Sequence, residues 1–484
     1  MSRSVVWYLV GKILQVEALL LMCPFVVSII YQEDSIHQFG YLGVAVGLAL
    51  IGFLFSYKKP KVFKIYARDG IVTVALSWIL LSFFGALPLF FTGEIPNLVD
   101  GFFEIASGFT TTGSSILGDL SLLQHSSLFW RSFTHLIGGM GVLVFTLAIL
   151  PSDSDSVQLM RAEVPGPVFG KLVSKLSQTA RILYAIYLVM TAIMVVILCL
   201  VKVPLFDSLL LAFGTAGTGG FGIHNAGLTI YENAAAVEWI IGVGMLLFGV
   251  NFNLYYFLLL GKAKDVFQDE EFRWYIGIVA VATLFIFVNT WFTMSESVPL
   301  RSVFYTVSSI ITTTGYSTAD FNQWPVFSHV ILLALMFIGG CAGSTAGGLK
   351  VSRIVIYVKR ALSELKIIAQ PNRVVGTFLS KRPITNDVQK QVASYLFVYL
   401  LMFVGILLSV SLEAPDFTTA FSSVAATFNN IGPGLAAVGP TSNFSFYSDI
   451  NKFILAIGMI AGRLELYPIL ILFAPRTLKK MCVK

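Results

Sequence analysis

A short phrase built on a single glycine occurs four times in this chain, each time between two long apolar runs. The copies are FTTTGSS at Phe109 to Ser115, GTGGF at Gly217 to Phe221, TTTGYS at Thr312 to Ser317 and NNIGPG at Asn429 to Gly434. Aligned on Gly113, Gly220, Gly315 and Gly432, they share a longer frame. Thirteen residues before each glycine stands Asp100, Asp207, Ser302 or Thr419, and all of these are residue types that cap helix N-termini. Seven residues past each of those comes a small one: Ser107, Gly214, Ser309 or Ala426. A capped short helix running into an extended glycine turn has been copied four times.

The flanking runs are about 20 residues long, enough for a helix to cross a bilayer, so the phrases lie at membrane depth. Backbone without helical hydrogen bonds survives there only when it is buried in protein or lines a watery path. With 56% hydrophobic residues, 12% charged residues and a mean hydropathy of +0.82 over 484 residues, the chain is not an ordinary soluble protein. The expected fold is an all-α polytopic membrane protein: four pseudo-symmetric helix–pore-loop–helix repeats around one pore, preceded by two N-terminal transmembrane helices. Residues 1–69 hold that pair and residues 70–181, 182–273, 274–391 and 392–484 the four repeats, ten spans and four re-entrant loops in all. The inner helices are expected near 128–150, 237–260, 326–360 and 453–473, with only the third interrupted.

Extended glycine loops of this kind can turn carbonyl oxygens toward one axis and replace the hydration shell of a cation. Glycine suits them because the turn needs positive φ, which a Cβ opposes. The helix before each phrase aims its partially negative C-terminus at the same point.

Charge orients the chain. Of its 32 lysines and arginines, Arg131, Lys202, Arg301 and Lys452 lie on the side of the glycine phrases and Arg463 lies within a span; the rest lie on the other side. That side, with both termini, is expected to be cytoplasmic. Glu33, Asp34, Glu94, Asp119, Glu232 and Asp320 would then stand at the outer mouth, where they either concentrate cations or act as solvated loop charges. No enzyme is expected. The histidines show no metal-ligand spacing, and His135 and His224 read as interfacial or core residues. The GxGxxG at Gly217 to Gly222 follows no strand, and Leu349 stands where the run from Gly343 would need a phosphate-binding lysine. Cys23, Cys199, Cys341 and Cys482 form neither a metal nor a disulfide pattern. The basic excess reflects membrane orientation, with no nucleic-acid partner.

The four phrases, each in its helix–pore–helix surround, resemble the Trk/Ktr/HKT superfamily of potassium transporters. The front helix pair and the NNIGPG form look most like its TrkH/TrkG-type membrane subunits. The resemblance covers essentially the whole chain. It implies potassium uptake across a bacterial cytoplasmic membrane, a homodimer within the lipid bilayer, and a cytosolic nucleotide-binding regulatory subunit of the TrkA type, with K+ the only bound cofactor and no organic one. A serine at the first glycine accompanies sodium preference in the eukaryotic branch, so Gly113 implies potassium. The implied ion-binding line is Thr110, Thr111, Thr112 and Gly113; Thr218, Gly219 and Gly220; Thr312, Thr313, Thr314 and Gly315; and Asn429, Asn430, Ile431 and Gly432.

In the third inner helix the run GGCAGSTAGG, from Gly339 to Gly348, holds five glycines, too many for a stable helix. It is expected to open into a loop below the filter, and the resemblance implies that it gates. Its candidate residues are Gly339, Gly340, Gly343, Ser344, Thr345, Gly347 and Gly348. Arg463, ionisable and deep in a span, carries a functional hypothesis by default. It is expected to latch that loop or to contact Glu104; the alternative is a structural arginine on helix-end carbonyls with Glu465 as partner. The basic stretch Lys350 to Lys390 and the loop Pro151 to Arg181 are candidate contacts for the cytosolic partner. A rival reading is a secondary cation transporter working by alternating access, whose signature is inverted halves and central ionisable residues.

Overall fold

The front pair carries no glycine phrase. Its first member runs Arg3–Leu20 and continues as Met22–Ile30, and its second is Ser35–Ser56. They cross with their backbones touching, because a Cβ on Gly11 would lie 2.7 Å from the Gly52 carbonyl oxygen, and one on Gly52 the same distance from that of Gly11. Small residues allow such close crossing where packing rather than water exclusion joins helices. The computed structural model describes residues 3–60, 66–141, 176–295, 297–370, 376, 378–380 and 382–482.

Four sets of outer, pore and inner helices follow. The outer helices are Ala67–Phe91, Leu176–Leu200, Glu270–Thr293 and Asn386–Val410. The pore helices are Leu98–Phe109, Leu205–Gly217, Leu300–Ile311 and Phe417–Phe428, and the inner helices begin as His125–Gly139, Ala234–Phe248, Val326–Ile338 and Asp449–Arg463. Each pore helix packs against the outer and inner helices of its own set. Each also packs against the inner helix of the preceding set, and the inner helix of the fourth set closes the circle on the pore helix of the first. The result is an all-helical bundle of fourfold pseudo-symmetry, with strand pairing among the described residues confined to the ribbon of Phe378–Leu379 with Arg382–Pro383.

Two expectations are corrected. Asp100, Asp207, Ser302 and Thr419 do not cap their helices but occupy the third helical position; the cap position holds Asn97 and Asp416, whose side chains accept from the Val99 and Thr419 amides, and Pro204 and Pro299, which make no side-chain cap. The column in the sequence is real and its role is displaced by one turn, since acidic and hydroxyl residues suit a first turn as well as a cap. The inner spans also differ, because all four break rather than one. The second bends by 91° between Phe248 and Phe252, and the fourth breaks after Arg463, where Glu465 and Leu466 take φ of 57° and 70°. The first ends at Gly139, with Gly141 at φ 86°, and the rest of its expected span lies outside the described residues, as does most of the loop Pro151 to Arg181. Six helices among the described residues are long and apolar enough to cross a membrane unbroken, namely the front pair and the four outer helices.

Candidate functional site

The four pore helices end alike. The residue two before each phrase glycine, Thr111, Thr218, Thr313 or Asn430, is left-handed, with φ of 56°, 56°, 55° and 58°. The next amide, on Thr112, Gly219, Thr314 or Ile431, donates 2.8 Å back to the carbonyl of Ser107, Gly214, Ser309 or Ala426. This is the Schellman termination, and the small-residue column marks the carbonyls that accept in it. Threonine is a poor choice for a left-handed residue, so three of the four turns hold strain of the kind that clusters at functional sites.

Beyond these turns the phrase glycines take φ of 82°, 72°, 82° and 108° and meet in a closed ring. A Cβ on Gly113 would lie 2.1 Å from the Gly219 oxygen, one on Gly220 1.9 Å from that of Thr314, one on Gly315 1.9 Å from that of Ile431, and one on Gly432 2.9 Å from that of Thr112. Each loop thus presses its glycine against a main-chain oxygen of the next, and the fourth returns to the first. All fifteen residues of the expected ion line lie in this ring and its helix-end turns. Their side chains mostly turn away from it to bond neighbours: Thr110 Oγ1 with Thr112 Oγ1 at 2.7 Å, Thr312 Oγ1 with Thr314 Oγ1 at 2.8 Å, and Asn430 Nδ2 to Thr112 Oγ1 at 2.9 Å.

On one side of the ring lies a cavity of about 300 Å³, lined by Gly113, Gly220, Gly315 and Gly432, the residues that follow them, and Arg131, Leu211 and Tyr305, with no acidic side chain in its lining. The acids expected at the mouth are mostly engaged in loop structure. Glu33 accepts from the Ser126 amide at 2.8 Å, Glu94 from that of Gln124 at 2.7 Å, Asp119 from that of Ser121 at 2.9 Å, and Asp320 from that of Asn322 at 3.2 Å. Glu232 pairs with Lys202 in the open.

Behind the first two loops is a buried ion pair, Arg131 with Glu104 at 2.7 Å. Glu104 also accepts from the Ser115 hydroxyl at 3.0 Å and the Ile116 amide at 3.0 Å, while Arg131 donates to the Gly222 carbonyl at 3.4 Å and lies 4.2 Å over the Phe221 ring. One pair therefore braces loops one and two together. Removing one partner of such a pair strands the other in a dry interior, so Arg131→Met should cost about 3–5 kcal/mol of stability. Glu104→Gln added to Arg131→Met should recover much of the loss, as thermal unfolding in detergent would measure.

On the opposite side of the ring stands the glycine-rich run. It is non-helical, as expected, and Gly339, Gly343 and Gly348 have φ of 74°, 73° and 75°. Its entry and exit cross backbone to backbone, because a Cβ on Gly339 would lie 2.3 Å from the Gly347 oxygen. The Gly347 amide donates to Thr313 Oγ1 at 2.6 Å and the Gly348 amide to the Asn429 carbonyl at 3.1 Å, directly under loops three and four. Thr345 Oγ1 donates to the Phe248 carbonyl at 3.1 Å, and the Cys341 amide to that of Gly249 at 3.0 Å. The run thus lies at the level where the inner helices break.

Arg463 joins these breaks. Its Nη1 donates to the Thr345 carbonyl, and its Nη2 to those of Gly138 and Gly139, all at 2.6 Å. The expected latch contact and the expected helix-end contact are therefore one arrangement. Glu104 pairs with Arg131 at 2.7 Å, and Glu465 with Arg353 at 2.6 Å. The basic stretch from Lys350 also begins inside the protein, with Lys350 donating to the Ala346 carbonyl and Arg353 lying over the Tyr395 ring.

The sequence reading missed two groups. Glu271 accepts from the Ala342 amide at 2.7 Å and the Ser352 amide at 3.0 Å, pinning the start and the end of the glycine-rich run. Nothing in QDEEFRW separates it from Glu270, which pairs instead with Lys359. His135 touches the second glycine loop directly; the available signal was a titratable ring in an apolar run.

The chain is similar to known proteins over nearly its whole length. The family model described as "TrkH: Cation transport protein" matches residues 42–480. The chain is 36% identical over 464 residues to the Trk system potassium uptake protein TrkH of Salmonella typhimurium, covering 94% of this chain and 95% of that one. It is 32% identical over 478 residues to the Trk system potassium uptake protein TrkG of Escherichia coli, covering 97% of each. The crystal structure of the potassium transporter TrkH from Vibrio parahaemolyticus is similar with a TM-score of 0.87 and 31% identity, covering 99% of this chain and 100% of that one.

Proposed function

Because the chain belongs to the TrkH family of cation transport proteins, we propose that it takes up potassium through the glycine ring, acting as a channel-like pore. The observation that carries this reading is the closure of the ring: four positive-φ glycines, each against the next loop's main-chain oxygen. Oxygens so arrayed can stand in for the water shell of a potassium ion. The cavity over the ring receives the ion, and four pore-helix C-termini contribute negative potential without a formal charge that would hold it too tightly.

The run Gly339 to Gly348 closes the path on the far side, with Arg463 holding it shut and adding a fixed positive charge that opposes a passing cation. The helix leaving it, Val351–Ala369, is buried at its start and largely exposed beyond Tyr357. It can therefore carry a pull from a cytosolic nucleotide-binding subunit to the gate. The protein works as a homodimer in the bacterial cytoplasmic membrane, with both termini cytoplasmic and one pore per protomer.

Purified protein in liposomes under opposed potassium and sodium gradients tests the reading. Potassium flux should exceed sodium flux at rates beyond those of a conformational cycle, and should rise when the cytosolic partner is added. Equal fluxes of the two ions would remove the filter, and slow stoichiometric exchange would favour alternating access.

A further inference from the structure

The second glycine loop departs from its fellows: Gly219 stands where the first and third have Thr112 and Thr314 and the fourth has Ile431. The cause is a side chain from the first inner helix. His135 is fully buried, and a Cβ on Gly219 would lie 2.2 Å from its Nδ1 and 2.3 Å from its Cγ. The imidazole fills the space that a side chain at 219 would need.

Both ring nitrogens are engaged with the pore. Nδ1 is 2.8 Å from the Gly108 carbonyl, in the last turn of the first pore helix, and so must donate to it. Nε2 accepts at 3.3 Å from the amide of Phe221, the residue after the ring glycine Gly220. The ring is therefore the neutral Nδ1–H tautomer. It also lies 4.4 Å from the Phe221 ring, over which the Arg131 guanidinium stands at 4.2 Å.

Loops three and four are braced within their own repeats, by the Ser309 hydroxyl donating to the Tyr316 carbonyl at 2.6 Å and the Ser422 hydroxyl to that of Leu435 at 3.1 Å. Loop two has Gly214 at the position of Ser309, so no hydroxyl is available there. We propose that His135 is a specificity-determining positioning residue, which takes over this task in trans and fixes the Gly219–Phe221 backbone at the radius a potassium ion requires. This rests on the filter reading above. It makes the first repeat responsible for the selectivity of the second.

The test compares His135→Asn with His135→Gln in full-length protein reconstituted in liposomes, with wild type measured alongside. The asparagine amide can still donate to Gly108 but is too short to accept from Phe221. The glutamine oxygen reaches the position of Nε2. His135→Asn should lower the potassium-to-sodium flux ratio by about tenfold, the effect of one lost hydrogen bond at a discriminating site, with a thermal midpoint close to that of His135→Gln. His135→Gln should stay within about threefold of wild type. Gly219→Thr should lower the thermal midpoint, and adding His135→Ala to it should restore part of that midpoint, because the threonine then has room. A wild-type ratio in His135→Asn, equal losses in the Asn and Gln variants, or no restoration in the double variant would each overturn the proposal. A wild-type protein that does not discriminate would overturn the filter reading instead.

Discussion

Gly315→Ala is expected to abolish discrimination between potassium and sodium in a protein that still inserts and assembles. Two costs coincide at this position. An L-residue at φ 82° is strained, by about 1–3 kcal/mol. The new methyl group would also stand 1.9 Å from the Ile431 oxygen, so the fourth loop must retreat by about 1 Å or more to reach an ordinary contact distance. A change of that size in a carbonyl ring is comparable with the difference between the two ions' shells, so the flux ratio should fall by about tenfold or more. The four glycines should also rank. Gly220 and Gly315 are the tightest, Gly113 follows, and Gly432, where a Cβ would lie 2.9 Å from the Thr112 oxygen, is the least crowded. Potassium and sodium fluxes for the four single alanine variants decide it. An unchanged ratio in both Gly220→Ala and Gly315→Ala would show that the ring does not select.

The second large effect concerns the other side of the ring. Arg463→Ala should raise basal potassium flux in the absence of any cytosolic partner. The side chain makes three 2.6 Å bonds, one to the glycine-rich run at Thr345 and two to the end of the first inner helix at Gly138 and Gly139. Hydrogen bonds from a charged donor are worth about 1.5–3 kcal/mol each. Losing even one such bond that exists only in the closed arrangement shifts the closed-to-open balance by about tenfold to a hundredfold. Removing the positive charge lowers the barrier to a cation further. Arg463→Lys should fall between, since a single ammonium cannot span both carbonyl groups as a planar guanidinium does. Basal flux at the wild-type level in well-folded Arg463→Ala would exclude the latch.

The ease with which each part could be read from the chain follows how far its determinants are spread. The repeat was visible because its pieces lie within about thirteen residues, as a Schellman turn and a positive-φ glycine are each set by local backbone geometry. The glycine-rich run was equally legible, since helix propensity is summed over neighbours. The breaks in the other inner helices were not, because isolated glycines and polar residues such as Gly249 with Asn251, or Gly462 with Arg463 and Glu465, do not by themselves end a long apolar helix. The freed carbonyls there find distant partners: Cys341 and Thr345 of the glycine-rich run for Gly249 and Phe248 of the second inner helix, and Arg463 of the fourth for Gly138 and Gly139 of the first. The caps were misplaced by one turn because a hydroxyl or carboxylate is favourable at either position.

By itself the sequence determined that this is a helical membrane protein of four copied units with non-helical glycine turns at membrane depth, since apolar length, local propensity and the conformational demands of glycine act between near neighbours. Only the tertiary structure decided how the units serve one another: that Gly432 closes the ring on Thr112, that Arg463 ties the fourth repeat to the first and third, and that His135 of the first repeat takes the place of a side chain in the second. These contacts join residues far apart in the chain, and a pseudo-fourfold circle places each loop against its neighbours in space. Which side chain then satisfies which carbonyl is settled by packing around the axis, and no local stretch of sequence records it.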